Sequence, residues 1–447
     1  MKAIRLTFIL ALALLLAVPA FARDWYVSAV GTGDGLTSGS PTQDLAAVLN
    51  AVAANDAIYL NGGDGFGFAG NSLTANVTLT IQSYGTGQGI VSNTTTPVNG
   101  QLLNLTSGAS GTTFDNIELR YNDLNLGAQG YRTIYLGSLV SNITIKNCTF
   151  RHFDWPGGHW NGNAFIVMHN SAHTNMTIIN SLFRDLRYSG GAGYDYRHPT
   201  ITAMGCVPLR LINNTVSNYE GFVSFQGGPF NRDVMVLSNK LYRCYGAINW
   251  QKFEGGTAGG LVKVGYQGLA GGEFAWNIIY NGFPDMTNST RYAAFMLDRG
   301  FNDGKIHNNT FYGLGAACLI NSGAEIVQTL DWYNNILIAC NANAQTGFWS
   351  VVNGIGSGIV YSNIWDPFQA FTNQFYGTST VFIASNPLLD PLFASLDPGN
   401  STFLRPTVAA AVHGYEDGFI GAVNPVPEPL LLGCCLGAVA LLRGRRR

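Results

Sequence analysis

Between residues 113 and 365 the chain returns to one short phrase, in which apolar and polar residues alternate, break at an asparagine, and alternate again. It reads ITIKNCTF at Ile143–Phe150, MTIINSLF at Met176–Phe183, LRLINNTV at Leu209–Val216 and VMVLSNKL at Val234–Leu241. It continues as KIHNNTF at Lys305–Phe311, LDWYNNIL at Leu330–Leu337 and IVYSNIW at Ile359–Trp365, with weaker copies at Thr113–Leu119 and Glu273–Ile279. Alternation with period two marks a strand with one face buried. Asparagine tolerates the left-handed backbone of a sharp bend, so each phrase predicts two short strands joined at a corner. Asn147, Asn180 and Asn213 lie 33 residues apart, and later copies are spaced by about 25 to 38, the range of stacked-repeat architectures.

One coil per phrase builds an all-β solenoid, a right-handed parallel β-helix. Stacking at about 4.8 Å sets each asparagine over the next, so the amides can form a hydrogen-bonded ladder. Inward residues such as Ile145, Phe150, Ile178, Phe183 and Leu211 then form one apolar column. Counting on from Phe150, Phe183, Val216 and Leu241 predicts two further columns, His152–Asp185–Asn218–Arg243 and Asp154–Arg187–Glu220. Their alternating charges suit a salt-bridge ladder. A β-sandwich or propeller is the alternative fold.

A solenoid needs covered ends. Gln43–Ala54 predicts an amphipathic helix with Leu45, Val48, Leu49 and Val52 on one face, a plug ahead of a first strand at Ala57–Leu60. The opening from Trp25 (WYVS) to Ile58 (IYLNGG) resembles the start of pectate-lyase-like β-helix proteins. Asn386–Phe393 (NPLLDPLF) through Gly418–Ala422 (GFIGA) resembles their ending. The resemblance covers residues 23–424 and implies a polysaccharide-related role.

The two ends read as addresses. Lys2 and Arg5, an apolar run from Leu6 to Val18, and Ala20-Phe21-Ala22 before Arg23 have the order of a secretory signal, with Ala20 and Ala22 fitting signal peptidase. The run is too short to span a bilayer. Residues 425–447 hold Pro427-Glu428-Pro429, an apolar run Leu430–Leu442, and Arg443, Arg445, Arg446 and Arg447. This arrangement resembles the PEP-CTERM sorting signal, and the resemblance implies processing by an exosortase-type membrane protease in a Gram-negative, exopolysaccharide-producing host. The apolar run would act as a stop-transfer transmembrane helix, with the arginines held on the cytoplasmic side. Thirteen residues rise about 20 Å against a core of about 30 Å, so a transient hold in the inner membrane is expected before release or attachment at the cell surface or extracellular matrix.

Composition narrows the partners. Fifty-five glycines with 11% charged and 12% aromatic residues argue against helical bundles and disorder. Loss of Lys2, Arg5 and the four tail arginines shifts the formal charge from −2 to about −8, which disfavours nucleic acid. A monomer is expected. Outside the tail, Cys148, Cys206, Cys244, Cys318 and Cys340 are an odd set without Cys-x-x-Cys spacing, so buried thiols with at most one disulfide are expected.

Chemically able side chains concentrate between Arg151 and Thr200, which holds five of the seven histidines. Trp155, Trp160, Tyr188 and Tyr196 offer flat apolar faces to sugar rings, while His159 and Arg187 add directional hydrogen bonds. A polysaccharide lyase would need a base and a cation at the uronate carboxyl, for which His152, Tyr196, Arg197 and His198 are candidates. A glycoside hydrolase would need paired carboxylates, for which Asp154, Asp185 and Asp195 are the nearby set. His169 and His173 lie in the same stretch. Polygalacturonase-like enzymes carry an aspartate pair and Gly-His-Gly, whereas this chain has Gly158-His159-Trp160. The Arg-x-Pro-x-x-Arg pattern and calcium-binding acidic cluster of pectate lyases are not visible. No cofactor is evident; calcium would enter only with lyase activity. The sequence therefore favours an exported protein that holds or organises extracellular polysaccharide. A divergent lyase or hydrolase is the alternative, and an adhesin a third reading.

Overall fold

The computed structural model describes residues 22–69, 72–95, 100–121, 132–152, 164–169, 173–184, 199–203, 205–219, 221–225, 231–244, 248–250, 269–280, 293–297, 301–313, 316–320, 327–338, 349–351, 355–361, 363–365, 380–384, 393–397, 400–407 and 420–422. Among them the strands form three sheets of thirteen, eleven and ten strands, with a fourth of three. Each coil visits the large sheets in one order. Thr113–Asp115 lies in the first sheet, Ile117–Tyr121 in the second and Arg132–Leu136 in the third; Ser141–Lys146 returns to the first, one coil further on. Pairing between neighbouring coils is parallel throughout, as at Ile145↔Ile178 and Phe150↔Phe183. That is the parallel β-helix, and it removes the sandwich and propeller, which are built from antiparallel sheets.

The interior is the expected apolar column. Ile145, Phe150, Ile178, Phe183 and Leu211 are fully buried, and the rings of Phe150 and Phe183 stack at 4.6 Å with 11° between their planes. The register Phe150–Phe183–Val216–Leu241 is as counted from the sequence.

The corner between the first and second sheets differs from expectation by one residue. Its first position is left-handed in coil after coil: Asn116, Asn147, Asn180, Asn213, Ser238, Trp276, Asn308 and Asn334 have φ between 51 and 57°. These residues carry only short stretches of side-chain pairing, such as Asn213 Nδ2 to Asn180 Oδ1 at 2.8 Å. The long ladder belongs to the following residue, which turns inward. Asn214, Asn239, Asn277, Asn309, Asn335 and Asn363 link Nδ2 to the next Oδ1 at 2.9 to 3.1 Å. Each of these Oδ1 atoms also accepts the preceding rung's backbone N–H at 2.9 Å. Buried polar backbone at a tight corner must find partners, and an inward amide satisfies both the corner and its own neighbour. In earlier coils Ser181 and Cys148 occupy the same position.

At the N-terminal end, helix α1 (Leu45–Ala51) buries Leu45, Val48 and Leu49. Asp44 caps it, accepting the Ala47 N–H at 2.8 Å. It is shorter than the predicted 43–54, because Val52 is already extended (φ −65°, ψ 144°) and Asn55 is left-handed. Val52 still packs on the core. Asp56–Asn61 is not the first strand: Asp24–Val27 precedes it and pairs with it, Val27 opposite Leu60. With four residues, of which Val27 alone is fully buried, that strand is too short to show alternation. Buried Asp56 clamps the end, accepting from the Arg23 N–H, the Trp25 indole and the Ala53 N–H at 2.8, 3.0 and 2.9 Å.

At the other end the chain folds back over the outside of the second sheet. Phe403 meets Tyr280 edge-on at 4.5 Å, Phe393 meets Tyr312 at 5.9 Å, and the Lys240 ammonium lies 5.3 Å from the Phe403 ring. Gly421 N–H donates to the Asn334 carbonyl at 2.8 Å. Cys148 and Cys206 are buried thiols, and burial pushes both up to about 12. Among the described residues no helix is long and apolar enough to cross a membrane; the sorting residues Pro427, Glu428, Pro429, Arg443, Arg445, Arg446 and Arg447 lie outside them, as does Ala20, while Ala22 is described and exposed.

Candidate functional site

Of the residues singled out between Arg151 and Thr200, His152 ends the strand Thr149–His152, in backbone register with Tyr121. Asp154, Trp155, His159, Trp160, Asp185, Arg187, Tyr188, Asp195, Tyr196, Arg197 and His198 lie outside the described residues, as does Glu220 of the counted column. The topology nevertheless fixes how their two segments are anchored. One leaves Thr149–His152 and enters Ala164–Met168; the other leaves Leu182–Arg184 and enters Pro199–Ala203. The departing strands are paired neighbours, and so are the receiving ones. Arg120, Arg151 and Arg184 stand in register on successive coils at the departure edge, with Glu118 accepting from Arg120 Nε at 2.8 Å.

The receiving edge is the third sheet, whose strands begin with an irregularity that builds a site. Thr133 and Ile134 are both buried, as are Phe165 with Ile166, Thr200 with Ile201, and Phe222 with Val223. Two successive inward residues shift the alternation by one step, and this puts Arg132 and Tyr135 on the same outer face. The Arg132 guanidinium carbon lies 4.7 Å from the Tyr135 ring centre, within cation–π range. His169 stands next to the ring, tilted by 39° at 5.8 Å between centroids. Gly137 makes room for this: a Cβ there would come within 2.6 Å of Tyr135 Cε1.

His169 is held by its backbone. Its N–H donates to the Leu136 carbonyl at 2.9 Å, and its own carbonyl accepts from His173 Nε2 at 3.1 Å. His173 is fully buried and accepts the Val140 N–H at Nδ1, 3.3 Å. Burial lowers its pKa, and with one ring nitrogen donating and the other accepting it is a neutral structural residue that fixes the segment carrying His169. His169 itself is held below the ordinary histidine range by burial and then by the Arg132 charge. Among the described residues, Nδ1 of His169, Nε of Arg132 and Oγ1 of Thr202 are buried without a hydrogen-bond partner. Buried polar atoms are nearly always paired in folded proteins, so unpaired ones call for an explanation.

The arrangement offers an aromatic ring, a fixed cation and an imidazole whose Nδ1 has no hydrogen-bond partner among the described residues. It can stack a ring, bind a carboxylate or hydroxyl, and accept a proton. Calcium takes six to eight oxygen ligands, carboxylates foremost, and Arg132, Tyr135 and His169 bring no carboxylate; among the described residues no three His, Cys, Asp or Glu side chains converge. The histidine cluster pointed to this stretch, but Arg132 and Tyr135 were missed. Their signal was the pair Thr133-Ile134, which breaks the strand alternation.

No protein-family model matches the sequence, and no curated protein matches it. Among solved structures, the pectate lyase Pel9A superposes with a TM-score of 0.55 at 15% identity, covering 90% of this chain and 96% of the other. A rhamnogalacturonan lyase gives 0.50 at 12% identity, covering 90% and 100%. At such identities the likeness is one of fold: the chain is a pectate-lyase-like parallel β-helix.

Proposed function

We propose that the protein is an exported β-helix of the cell surface or extracellular matrix that binds and organises polysaccharide. Its contact face is the outer side of the third sheet at Arg132, Tyr135 and His169, with Trp155, Trp160, Tyr188 and Arg187 as further glycan contacts on the chemistry of their side chains. The observation that carries this is the outward group of Tyr135, Arg132 and His169, in which Nε of Arg132 and Nδ1 of His169 have no hydrogen-bond partner among the described residues; a sugar lying against this group would bring its ring to the aromatic side chain and its hydroxyls to the guanidinium. The two similar folds act on polysaccharides by name, which agrees with this reading.

Export and sorting are part of the proposal. Cleavage by signal peptidase after Ala22 would leave Arg23 at the new terminus, where its nitrogen already lies 2.8 Å from Asp56 Oδ1. An exosortase-type cut near Pro427-Glu428-Pro429 would remove the tail. Intact-mass measurement of the protein recovered from cells checks both; a chain beginning at Met1 or retaining Arg447 would refute them.

A second reading is catalytic, favoured by the neutral His169 beside Arg132. The imidazole would take the proton α to a uronate carboxyl group, with the guanidinium stabilising the enolate, and collapse of the enolate would break the glycosidic C–O bond at the β carbon, the oxygen leaving on the departing chain with a proton from solvent. Incubation with uronate-containing and neutral polysaccharides separates the two. Binding without product, weakened at least tenfold by Tyr135→Ala and Arg132→Ala, supports the organising role. Ultraviolet absorbance from unsaturated ends, abolished by His169→Ala, would replace it with the lyase.

A further inference from the structure

A second aromatic site stands on a different edge of the solenoid. The left-handed corner position holds asparagine or serine in seven of its eight described coils, and tryptophan in the eighth. Trp276 gains nothing locally from that backbone, since it lacks the short polar side chain that relieves it. Its neighbour Asn277 is bound into the buried ladder at both ends, so the coil imposes the conformation whatever the residue. An unfavourable residue kept in a strained position directs attention to what its side chain does.

The indole is 36% exposed, the largest side chain among the exposed hydrophobics of the described residues, yet it is braced. It meets His307 edge-on at 5.2 Å and 78°, and His307 stacks on Tyr333 at 4.8 Å and 3°. The imidazole is fixed on both nitrogens, Nε2 to Glu273 Oε1 at 3.0 Å and Nδ1 to Asn308 Oδ1 at 2.8 Å. A rigid exposed aromatic surface loses little entropy on binding. The column beside it runs Glu273, Lys305, Asp331 on successive coils. Two carboxylates and one ammonium provide hydrogen-bonding groups of both kinds without a cationic field.

We infer that Trp276, backed by His307 and Tyr333 and flanked by Glu273, Lys305 and Asp331, is a binding site for a neutral pyranose ring of a polysaccharide. The apolar C–H face of the sugar lies on the indole and its hydroxyls meet the charged column. The excess of carboxylates disfavours uronates, in contrast to the arginine-bearing face around Tyr135. The inference rests on the polysaccharide reading in general but on a separate surface, so the two fail separately.

Affinity electrophoresis of the mature protein through gels containing mannan, β-glucan, dextran or polygalacturonate tests it. Wild type is expected to be retarded by at least one of the three neutral polymers, with Trp276→Asn at least tenfold weaker and Val30→Ser, a change at an exposed residue near the N-terminal end, without effect. Trp276→Asn places there the residue found at six of the other seven described corners, so an unchanged melting curve establishes that the fold is intact. Trp276→Phe, which keeps a smaller ring, is expected to recover part of the retardation. Absence of retardation by every neutral polymer, or retardation indifferent to Trp276→Asn, would overturn the inference. So would a Trp276-dependent association with phosphatidylglycerol vesicles in place of any glycan, since it would make the indole a membrane contact. Loss of polygalacturonate binding in Arg132→Ala alone would bear only on the face around Tyr135.

Discussion

Single residues decide the stability of the N-terminal end and the chemistry of the third-sheet face. Asp56 is buried; desolvation raises its pKa, but donors from Ala53, Arg23 and the Trp25 indole, together with the Arg23 charge, outweigh it and hold the carboxyl below 3.8. Glu273 is lowered chiefly by His307, and Asp64 is lowered by Asn61, Ser28 and Ala29 against the opposing effect of burial. A carboxyl whose folded pKa lies below its unfolded one stabilises the fold above the unfolded pKa, and that contribution disappears as pH falls through the folded one. Urea midpoints should therefore hold level down to about pH 5 and decline below about pH 4. Asp56→Asn, which keeps the shape but loses the charge, should cost about 1.5 to 3 kcal/mol at pH 7 and less at pH 3. A variant whose deficit does not shrink in acid would show that the charge is irrelevant. On the third-sheet face, Gly137→Ala is expected to push the Tyr135 ring off His169 and weaken glycan retardation while leaving the melting temperature within a few degrees.

At the scale of the element, the corner between the first two sheets shows what the sequence reveals and where it stops. The repeat and the register of Phe150, Phe183, Val216 and Leu241 were legible, because one buried ring per coil recurs at a fixed distance from a left-handed residue. Which asparagine makes the ladder was not legible from Asn213-Asn214, Asn308-Asn309 or Asn334-Asn335, since a doublet presents two amides and alternation alone does not say which one turns inward. Ser238-Asn239 and Trp276-Asn277 held the answer: in both, only the second residue can serve as a rung. The site was harder to read. The histidines marked its neighbourhood, but Arg132 and Tyr135 face outward together only because two consecutive residues turn inward before Tyr135. The Asn239 side chain makes four hydrogen bonds, accepting from Asn214 N and Nδ2 and donating to Leu211 O and Asn277 Oδ1. Asn239→Ala should cost about 3 to 5 kcal/mol, as several buried groups lose partners at once. Asn147→Ala, at the exposed position with its Nδ2 on Asp115, should cost about 1 kcal/mol. Paired denaturation curves check the contrast, and equal losses would place the ladder's weight on the wrong column.

At the scale of the whole molecule, a solenoid has contacts only between neighbouring coils, so its stability depends on how its ends and outer faces are closed. The N-terminal end has helix α1 and the Asp56 clamp. Towards the C-terminus, the returning segment covers part of the second sheet's outer face, where Tyr242, Tyr280 and Tyr312 form an aromatic column in register. Tyr280 is only 3% exposed, although it points out from the sheet, because Phe403 and Leu404 lie over it. Without that cover the column would be a contiguous apolar patch of the kind that drives association. Phe403→Ala removes the centre of the cover and the partner of the Lys240 ammonium, and should cost about 3 to 5 kcal/mol. The effect should be local: proteolysis should first cut between residues 385 and 420 and leave a resistant fragment retaining the N-terminal coils, because Phe403 packs on the coils of Lys240 and Tyr280. Concentration-dependent light scattering should rise with the cut, as the exposed tyrosines find each other. If Phe403→Ala instead melted the whole chain in one step without a resistant fragment, the coils would be coupled end to end, and the segment would govern folding and not merely cover one face.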